Sequence, residues 1–450
     1  MNPIELQLQA AARFYEAGEV GEAARLFREV LAAHPHNPAA WERLGICHYQ
    51  LGQNEDAVES YRRAIEIDPR LPSPLNNLGN ALLRLGRRDE ALACFDRAIE
   101  LQPNFSIAYK NKSMTHWSVG NIEAALQTHE ELACHTPDDA DVRSQIGVMR
   151  LLLGDFAGGW PEYEWRWKTN QLRLPALEKP LWDGHSLDGR TILLWPEQGL
   201  GDFVQFIRYA AWLKDRHACH VLVHGPKKLE PLLAHCEGVD DWIDDLSNAP
   251  VYDCYAPLLH VPGILRQRSS DFPNKVPYLS ADSSLVELWR DKLTNFRGHK
   301  IGIAWRGSPT HEADSRRSIP LPAFKHLARI PTIQLFSLQK GPGSEEADNA
   351  PEIVDIGRQL DETTGAFVET ASVLKNLDLL ITCDTAIAHV AGALGMPVWV
   401  ALCHVPDWRW GLTGNTTVWY PTMRLFRQPT PGDWTSVFSK IAAAITSRRE

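Results

Sequence analysis

Three short stretches in the second half of the chain combine residue types that could do chemistry. The first is a loop between an apolar strand and a helix, and it holds Gln198, Gly199, Gly201 and Asp202. The two glycines let a backbone come close to a ligand, and Asp202 has the chemistry to accept a proton. An aspartate at the start of a helix is also a common cap, and this alternative stays open. Val204 replaces the third glycine of a dinucleotide fingerprint, which disfavours NAD binding.

The second stretch is a basic loop that follows a predicted strand. Its charged and titratable side chains are Arg306, His311, Asp314, Arg316 and Arg317. Clustered guanidinium groups at the carboxyl end of a strand suit bidentate contact with phosphate. Lys340 follows the next predicted strand and extends the same pattern. The alternative is a set of salt bridges on a solvated loop.

The third stretch passes from a buried strand into a helix at Asp384 and Thr385. Helix N-termini carry free N–H groups and partial positive charge, so a diphosphate fits there, and the Thr385 hydroxyl adds a donor. His389 lies four residues further on. This spacing predicts that it shares a helix face with Thr385 and faces the same ligand. A histidine packed in the core is the alternative.

The elements that must position these residues alternate between strands and helices. Apolar runs predict strands at residues 191–195, 220–224, 300–305, 333–338, 377–382 and 397–402, and helical patterns occupy residues 203–213 and 226–234. Such alternation predicts parallel sheets covered by helices, with ligands outside the carboxyl ends of the strands. A break near residues 280–284 predicts two Rossmann-like lobes with a cleft between them.

A repeat with a period of 34 residues fills the first third of the chain. It is marked by Pro35, Pro69, Pro103 and Pro137, and by Gly18, Gly52, Gly86, Gly120 and Gly154. Small residues stand where two helices of one hairpin approach, and proline ends the second helix. The pattern resembles the tetratricopeptide repeat from residue 4 to about residue 154, with four full repeats and a fifth that begins near Ala140. The resemblance implies an α solenoid.

A column of polar residues recurs at the sixth position of each repeat. Its members are Gln9, Arg43, Asn77, Asn111 and Gln145, with Asn76, Asn80 and Trp117 nearby. In solenoids of this kind the first helices line a concave groove. An amide both donates and accepts hydrogen bonds, so the column could hold an extended peptide with little regard for its sequence. Asparagine is a poor helix former, and its recurrence at Asn77 and Asn111 favours this interpretation over a solvated helix face.

Residues 155–182 depart from the repeat and are rich in tryptophan, with Trp160, Trp165, Trp167 and Trp182. A flexible linker would be rich in glycine, serine or proline. The segment predicts a helix that buries aromatic faces and docks the two halves of the chain rigidly. A simple capping helix for the solenoid is the alternative.

Composition limits the classes of partner. The 450 residues include 46 Lys and Arg against 56 Asp and Glu, and the net charge of −10 disfavours nucleic acid as the main partner. No secretory signal opens the sequence, and glycines and a proline interrupt the apolar run at residues 386–403, which excludes a transmembrane helix. The eight cysteines are dispersed without metal-site spacing. We therefore expect a cytoplasmic protein with reduced thiols and without a membrane span.

The three chemical stretches together resemble bacterial GT-B glycosyltransferases, especially the heptosyltransferase family. They also resemble O-GlcNAc transferases, in which tetratricopeptide repeats precede a GT-B catalytic half. The match is carried by GlyLeuGlyAsp at 199–202, by residues 301–320 and by AspThrAlaIleAlaHisValAla at 384–391. By this resemblance Asp202 is the catalytic base. Arg317 stands where heptosyltransferases place a phosphate-binding lysine, and Asp384, Thr385 and His389 belong to the nucleotide-sugar site.

The resemblance implies four parts: a repeat domain at 1–154, a Trp-rich docking segment at 155–185, an acceptor-side lobe at 186–282 and a nucleotide-sugar lobe at 283–450. The predicted reaction is an inverting, metal-independent transfer of a sugar from a nucleotide-sugar co-substrate to a hydroxyl. The acceptor would be Ser or Thr of a protein held by the repeats, and no cofactor is needed.

In this prediction Arg306, Arg317, Lys340, His389 and the helix end at Thr385 neutralise the leaving diphosphate. The acidic run at Asp240, Asp241, Asp244 and Asp245 is expected to be a solvated surface turn and not a metal site. Two alternatives stay open. One is a non-catalytic repeat scaffold with a degenerate nucleotide-binding half, and the other is a glycosyltransferase that acts on a glycan.

Overall fold

The chain divides into two units, Met1–Met149 and Arg150–Glu450. The structure is a computed structural model that describes residues 3–169, 172, 174, 177–310 and 313–447. His311, which the sequence places in the basic loop, lies outside the described residues. None of the helices in this described part of the chain combines the length and the apolar character that crossing a bilayer requires.

The first unit is built from helix hairpins. Its described helices, of which the last runs into the second unit, are α1 (Pro3–Glu16), α2 (Val20–Ala33), α3 (Pro38–Gln50), α4 (Asn54–Ile67), α5 (Pro72–Arg84), α6 (Arg88–Leu101), α7 (Ser106–Ser118), α8 (Ile122–His135) and α9 (Ala140–Leu152). The recurring glycines follow the first helix of each hairpin with φ between +75° and +83°. Only glycine adopts this left-handed backbone without a steric penalty, which explains the 34-residue spacing.

A second requirement for small residues lies inside two of the hairpins. A Cβ atom placed on Gly79 would lie 2.5 Å from Cε1 of Phe95, and one on Gly45 would lie 2.6 Å from Cε1 of Tyr61. Phe95 and Tyr61 are buried, so their rings cannot move away. The glycine and the aromatic residue of each of these two repeats are therefore one packing unit.

The second unit alternates strands and helices. Its described strands are β1 (Thr191–Trp195), β2 (His220–His224), β3 (Asp241–Ile243), β4 (Cys254–Pro257), β5 (His299–Ala304), β6 (Ile333–Ser337), β7 (Ile353–Asp355), β8 (Leu379–Thr382), β9 (Val398–Leu402) and β10 (Met423–Arg427). Its described helices are α10 (Phe156–Tyr163), α11 (Leu200–Phe206), α12 (Arg208–Lys214), α13 (Glu230–Leu233), α14 (Val261–Ile264), α15 (Ser283–Leu293), α16 (Asp314–Arg317), α17 (Leu321–Ala328), α18 (Val368–Leu374), α19 (Ala386–Ala393) and α20 (Trp434–Ser447).

The strands form two sheets in which every pair is parallel. The four-stranded sheet has the order β3-β2-β1-β4, and the six-stranded sheet has the order β10-β9-β8-β5-β6-β7. In the first sheet Ile192 lies opposite Val221 on one side and Cys254 on the other. We call the parts around these sheets the first lobe and the second lobe. The predicted parallel sheets flanked by helices are confirmed.

Several element boundaries differ from those predicted. The helix predicted at 203–213 is two helices, α11 and α12, and the segment 226–234 holds a 3-10 turn followed by α13. The acidic run is not a simple surface turn, because Asp241 begins strand β3. Asp240 also accepts hydrogen bonds from the Val221 N–H at 2.7 Å and from Lys214 Nζ at 2.8 Å.

An aromatic core fixes the strand ends of the second lobe. Trp305, Phe324 and Phe438 are buried between the six-stranded sheet and helices α17 and α20. The rings of Phe324 and Phe438 meet edge to face at 4.6 Å. Trp305 directly follows β5, so this packing holds the loop after that strand in place.

The Trp-rich segment begins with helix α10 and continues as a 3-10 helix at Glu164–Lys168. Trp160 of α10 donates from Nε1 to the Gln267 carbonyl at 2.8 Å. Its ring lies edge to face with Trp408, with centroids 5.5 Å apart. The aromatic faces of this helix are therefore buried within the second unit.

Candidate functional site

A cavity of about 560 Å³ lies at the carboxyl ends of β5, β6 and β8. Arg306, Lys340 and the start of helix α19 at Thr385 form part of its wall. Leu200 and Lys228 of the first lobe form another part. The cavity is thus shared by both lobes and lies where parallel sheets bind ligands.

Helices α11 and α19 meet next to this cavity. A Cβ atom on Gly201 would lie 3.0 Å from His389 Cδ2 and 3.2 Å from the Ala386 Cα atom. Only glycine allows the first lobe to come this close to the start of α19. The stretch that holds Asp202 therefore faces the stretch that holds Asp384 and Thr385.

Asp202 is the third residue of α11, and the N-cap is Gly199. Its Oδ2 atom accepts a hydrogen bond from the Gly199 N–H at 2.9 Å. Its Oδ1 atom accepts one from the guanidinium of Arg409, and the side chain is 18% exposed. Asp202 therefore stabilises the start of the helix and also joins the two lobes. A carboxylate has about four acceptor positions, so capacity for a further partner remains.

Arg409 is the centre of a buried ionic cluster that the sequence analysis missed. Besides Asp202 it pairs with Asp407, whose Oδ1 lies 2.8 Å from Nη1. Burial lowers the pKa of Arg409, but Asp407, Asp202 and Asp384 outweigh this effect and raise the pKa above its ordinary value. Burial and the charge of Asp407 raise the pKa of Asp384 to about 6, against the lowering effect of Arg409.

The three predicted phosphate-binding cations do not converge on one point. Arg306 lines the cavity and pairs through Nη2 with Glu346 Oε1 at 2.5 Å. Lys340 also lines the cavity, and its ammonium donates to the Leu360 carbonyl. Arg317 instead packs against Gly307, with its side chain 15% exposed. It is not among the described residues that line the cavity.

His389 does not face the cavity, contrary to the prediction. Its Nδ1 atom lies 3.0 Å from the Tyr420 hydroxyl, and its ring stacks on Trp410 at 5.5 Å. Burial, together with the charges of Arg409 and Arg208, lowers the pKa of His389 well below its ordinary value, so the ring is neutral. The structure differs from the prediction because Thr385 is the N-cap of α19, with extended φ of −153° and ψ of 167°. A residue outside the helix does not share the helical face of the residue four positions later.

Thr385 itself occupies the predicted place. It precedes the first turn of α19, where the N–H groups have no partner inside the helix, and it lines the cavity. Its hydroxyl makes no capping hydrogen bond, so it is available to a ligand. Thr385 and the start of α19 are therefore the part of the third stretch that the structure brings to the cavity.

The acceptor-side loop is tied to the Trp-rich segment. Gln198 donates from Nε2 to the Tyr163 hydroxyl at 3.3 Å. Glu197, which sequence reasoning missed, accepts from Arg166 Nη2 at 2.8 Å and is completely buried. Burial raises the pKa of Glu197 to about 7, the charge of Asp202 adds to this, and Arg166 opposes it.

A loop at residues 361–367 also lines the cavity, together with Thr370 of α18, and was missed. Asp361 and Phe367 have φ of 57° and 65°, a left-handed backbone that is rare outside glycine. The Asp361 carboxylate holds this shape by accepting hydrogen bonds from the N–H groups of Glu369 and Thr370 at 2.7 and 3.1 Å. The Ala366 N–H donates to the Lys228 carbonyl at 2.7 Å, which joins this loop to the first lobe.

Two signals in the sequence could have revealed these parts. The loop at 361–367 contains two threonines and a glycine in a polar run, a composition typical of an irregular loop. The turn with Arg409 follows the carboxyl end of β9, which is where ligands of parallel sheets are expected.

In the repeats, amide side chains form a hydrogen-bonded row. Asn111 donates to Asn76 Oδ1 at 2.8 Å, and Asn76 donates to Asn77 Oδ1 at 3.3 Å. Asn77 donates to Glu42 Oε1 at 3.2 Å. The structure thus brings Asn77 and Asn111 into one row across three repeats. The other members of the predicted column, Gln9, Arg43 and Gln145, are exposed.

In the described parts of the chain, His, Cys, Asp and Glu side chains do not form a group of three or more that could hold a metal ion.

Comparisons with known proteins identify the repeats. Residues 8–72 and 72–105 match two family models, both described as tetratricopeptide repeat. The N-terminal part of the chain consists of tetratricopeptide repeats. This part of the sequence prediction is confirmed.

One curated relative extends beyond the repeats. Protein FlbA of Caulobacter vibrioides is 26% identical over 376 residues, and the match covers 76% of this chain. The chain spans 61% of the length of this relative.

Two similar solved structures each match little more than a third of the chain. MamA is 22% identical with a TM-score of 0.33, and the match covers 35% of this chain and 92% of MamA. YrrB, described as a TPR protein with an unusual peptide-binding site, is 18% identical with a TM-score of 0.31. That match covers 37% of this chain and 85% of YrrB.

Proposed function

We propose that the second unit is a GT-B glycosyltransferase that moves a sugar from a nucleotide-sugar donor to a hydroxyl with inversion. The single observation that supports this most is the shared cavity. It joins the N-terminus of α19 and two cationic side chains of the second lobe to Leu200 of the first lobe, two residues before Asp202, which is not itself among the described residues that line the cavity. Two carboxyl-end loops with opposite chemistry thus face one space.

The donor diphosphate would lie at the start of α19. There the free N–H groups of the first turn and the Thr385 hydroxyl donate hydrogen bonds to it. Arg306 and Lys340 of the same lobe add positive charge, after exchanging their present partners Glu346 and Leu360 for phosphate oxygens. Because negative charge builds up on the leaving diphosphate, these groups stabilise the transition state more than the ground state.

Asp202 would act on the acceptor. The acceptor oxygen bonds to the anomeric carbon while the bond from that carbon to the diphosphate oxygen breaks, and Asp202 takes the hydroxyl proton. The Gly199 N–H and Arg409 hold one oxygen each of this carboxylate, so its orientation is set before the acceptor arrives. The mechanism asks for no metal ion and no further cofactor.

The acceptor would be a protein whose Ser or Thr presents the hydroxyl. Tetratricopeptide repeats supply surfaces for protein partners, and the amide row with Asn77 and Asn111 offers groups that pair with an extended backbone. The same repeats also support the second candidate, a scaffold without catalysis. The cavity distinguishes the two, because a scaffold has no need to bind a nucleotide sugar.

A ligand screen on the purified chain tests the proposal. Thermal unfolding is measured with UDP-, ADP-, GDP- and CMP-sugars, and we expect one class to stabilise the protein. A ligand at about 100 times its dissociation constant adds about 2.7 kcal/mol. Failure of every class to raise the melting temperature would contradict the transferase and leave the scaffold.

The bound donor then serves in a transfer assay. Asp202→Asn keeps an acceptor for Arg409 and is expected to bind the donor normally yet transfer almost no sugar. Thr385→Ala removes a hydroxyl that makes no capping bond, so it is expected to weaken donor use without unfolding the chain. Asp215→Asn, an exposed site at the end of α12, is the matched control. Full activity of Asp202→Asn would show that Asp202 is not the catalytic base.

The protein acceptor is tested in the same assay. Asn77→Ala combined with Asn111→Ala is expected to impair transfer to a protein but not to a small hydroxyl acceptor. Equal activity of the double variant on both would instead favour a glycan acceptor.

A further inference from the structure

The turn at residues 407–410 sends consecutive side chains to different parts of the second unit. Trp408 lies edge to face with Trp160 and Tyr163 of the Trp-rich segment, with centroids 5.5 and 6.1 Å apart. Trp410 stacks on His389 inside the second lobe. Arg409, between them, reaches Asp202 in the first lobe. This turn is therefore the point where three parts of the unit meet.

Arg409 is held rigidly in this turn. Its carbonyl accepts a hydrogen bond from Trp419 Nε1 at 3.1 Å. Asp407 accepts from the Arg409 N–H at 3.0 Å and also pairs with Nη1 at 2.8 Å. The side chain is 8% exposed. A guanidinium is planar and directs its donors along fixed lines, so fixing its base also fixes the position of the Nη2 atom that meets Asp202.

We propose that Arg409 is the positioning residue for Asp202 in the transfer reaction, an inference that rests on the proposed function. Arg409 is not among the described residues that line the cavity, so it acts through the carboxylate of Asp202. With the Gly199 N–H on one oxygen and Arg409 on the other, the carboxylate cannot rotate. Its free acceptor position then points in one direction, and the ion pair keeps the α11 loop beside α19.

A double-mutant cycle on turnover tests this role. Arg409→Met keeps the length of the side chain and removes its charge and donors. We expect kcat to fall about 100-fold, as misplacing a reacting group by about 1 Å does, while the donor KM changes less than about threefold. In the Asp202→Asn background the same change is expected to lower kcat less than about threefold, because no base remains to be positioned. Equal losses in both backgrounds, or a loss confined to the donor KM, would overturn the proposal.

Two further variants complete the cycle. Arg409→Lys keeps the positive charge and can donate one hydrogen bond to Asp202, so its kcat is expected to be about tenfold higher than that of Arg409→Met. If Arg409→Met does not fold, the lysine variant tests the proposal in its place. A lysine variant with wild-type kcat, or no more active than the methionine variant, would refute the role of a fixed guanidinium. Arg424→Met removes an exposed guanidinium elsewhere in the second lobe and should keep wild-type kcat.

Hydrogen exchange separates this inference from the proposed function. Amides of residues 199–207 are expected to exchange at least about tenfold faster in Arg409→Met than in the wild type, because the α11 loop has lost its link to the second lobe. If no donor supports transfer by the wild type, the proposed function fails. In that case, unchanged exchange would show that Arg409 does not hold Asp202. Faster exchange would still support the claim that Arg409 holds the α11 loop in place.

Discussion

Glu197 is a buried acid whose ionisation is expected to weaken the folded second unit. Its side chain is completely buried, and one oxygen, Oε1, has no hydrogen-bond partner. Arg166 stabilises its charge through the other oxygen at 2.8 Å, but burial outweighs this pairing and raises the pKa from 4.5 to about 7. We therefore predict that Glu197→Gln changes how the stability of the unit depends on pH.

Proton linkage gives the direction and the size of this pH dependence of stability. Above pH 4.5 the unfolded chain releases the Glu197 proton, while the folded protein keeps it until about pH 7. The group thus contributes stability below pH 4.5, and this contribution is lost as the pH rises to about 7. Each pH unit of this interval corresponds to about 1.4 kcal/mol, so the loss amounts to about 3 kcal/mol. Glutamine cannot ionise, so Glu197→Gln lacks the loss.

The assay is urea unfolding of both proteins across this pH range, followed by tryptophan fluorescence. All tryptophans except Trp41 and Trp117 lie after residue 150, so the signal reports on the second unit. Relative to the wild type, the variant should gain about 3 kcal/mol from pH 4.5 to pH 8. The exposed pair of Glu237 with Lys275 offers a control, because Glu237→Gln should leave the curves parallel. Parallel curves for Glu197→Gln itself would refute the reasoning.

Two glycine substitutions test close packing elsewhere in the chain. Gly201→Ala is expected to lower donor affinity at least about tenfold in calorimetric titration, because its Cβ would lie 3.0 Å from His389 and displace α11 from α19. Gly79→Ala is expected to destabilise the repeats by about 1 to 3 kcal/mol, since its Cβ would lie 2.5 Å from the Phe95 ring. Circular dichroism of the helices during thermal unfolding measures the second effect.

Matched glycines serve as controls for both. A Cβ on Gly199 would meet only Asp202 Oδ2, at the ordinary contact distance of 3.4 Å, so Gly199→Ala should bind the donor like the wild type. Gly21 in α2 has no atom within 4 Å of such a Cβ, so Gly21→Ala should not destabilise the repeats. If either control matched its test variant, the loss could not be assigned to the close contact.

The repeats could be predicted from the sequence because their requirements are local. Gly52 and Gly86 are needed for the left-handed turn between two helices of one hairpin. Gly79 and Phe95 meet within a single repeat. Each requirement involves residues fewer than 34 positions apart, so it repeats visibly with that period.

The strands of the sheets could be predicted only where the strand is a distinct apolar run in the sequence. Strands β1 and β2 have the predicted bounds, because each has a run of three buried apolar residues between less buried ends. Strands β3, β4, β7 and β10 were missed, and β3 and β7 are only three residues long. So short a run shows no periodicity, and it becomes a strand only because a neighbouring strand supplies its hydrogen bonds.

Residues of the candidate site could be predicted where they follow the end of a strand. Contacts between distant parts of the chain could not. Thr385, Arg306 and Lys340 follow strands directly, and all three line the cavity. Asp202 and Arg409 are 207 residues apart, and no pattern in one sequence joins positions at that distance. The exact start of a helix is equally hard to read from the sequence. Thr385 was therefore counted as part of α19, and His389 was assigned to its face.

The lobe junction is a costly place to bury charge. Arg409 and Arg166 are less than a tenth exposed there, and Glu197 and Asp384 have raised pKa values. Apolar residues of similar size often stabilise a fold more than such pairs do. The catalytic candidate of the first lobe, Asp202, is bonded directly to Arg409, and its charge helps to raise the pKa of Glu197. We infer that these charges orient the carboxylate of Asp202 rather than stabilise the fold. Removing both members of a pair should therefore stabilise the protein and abolish transfer.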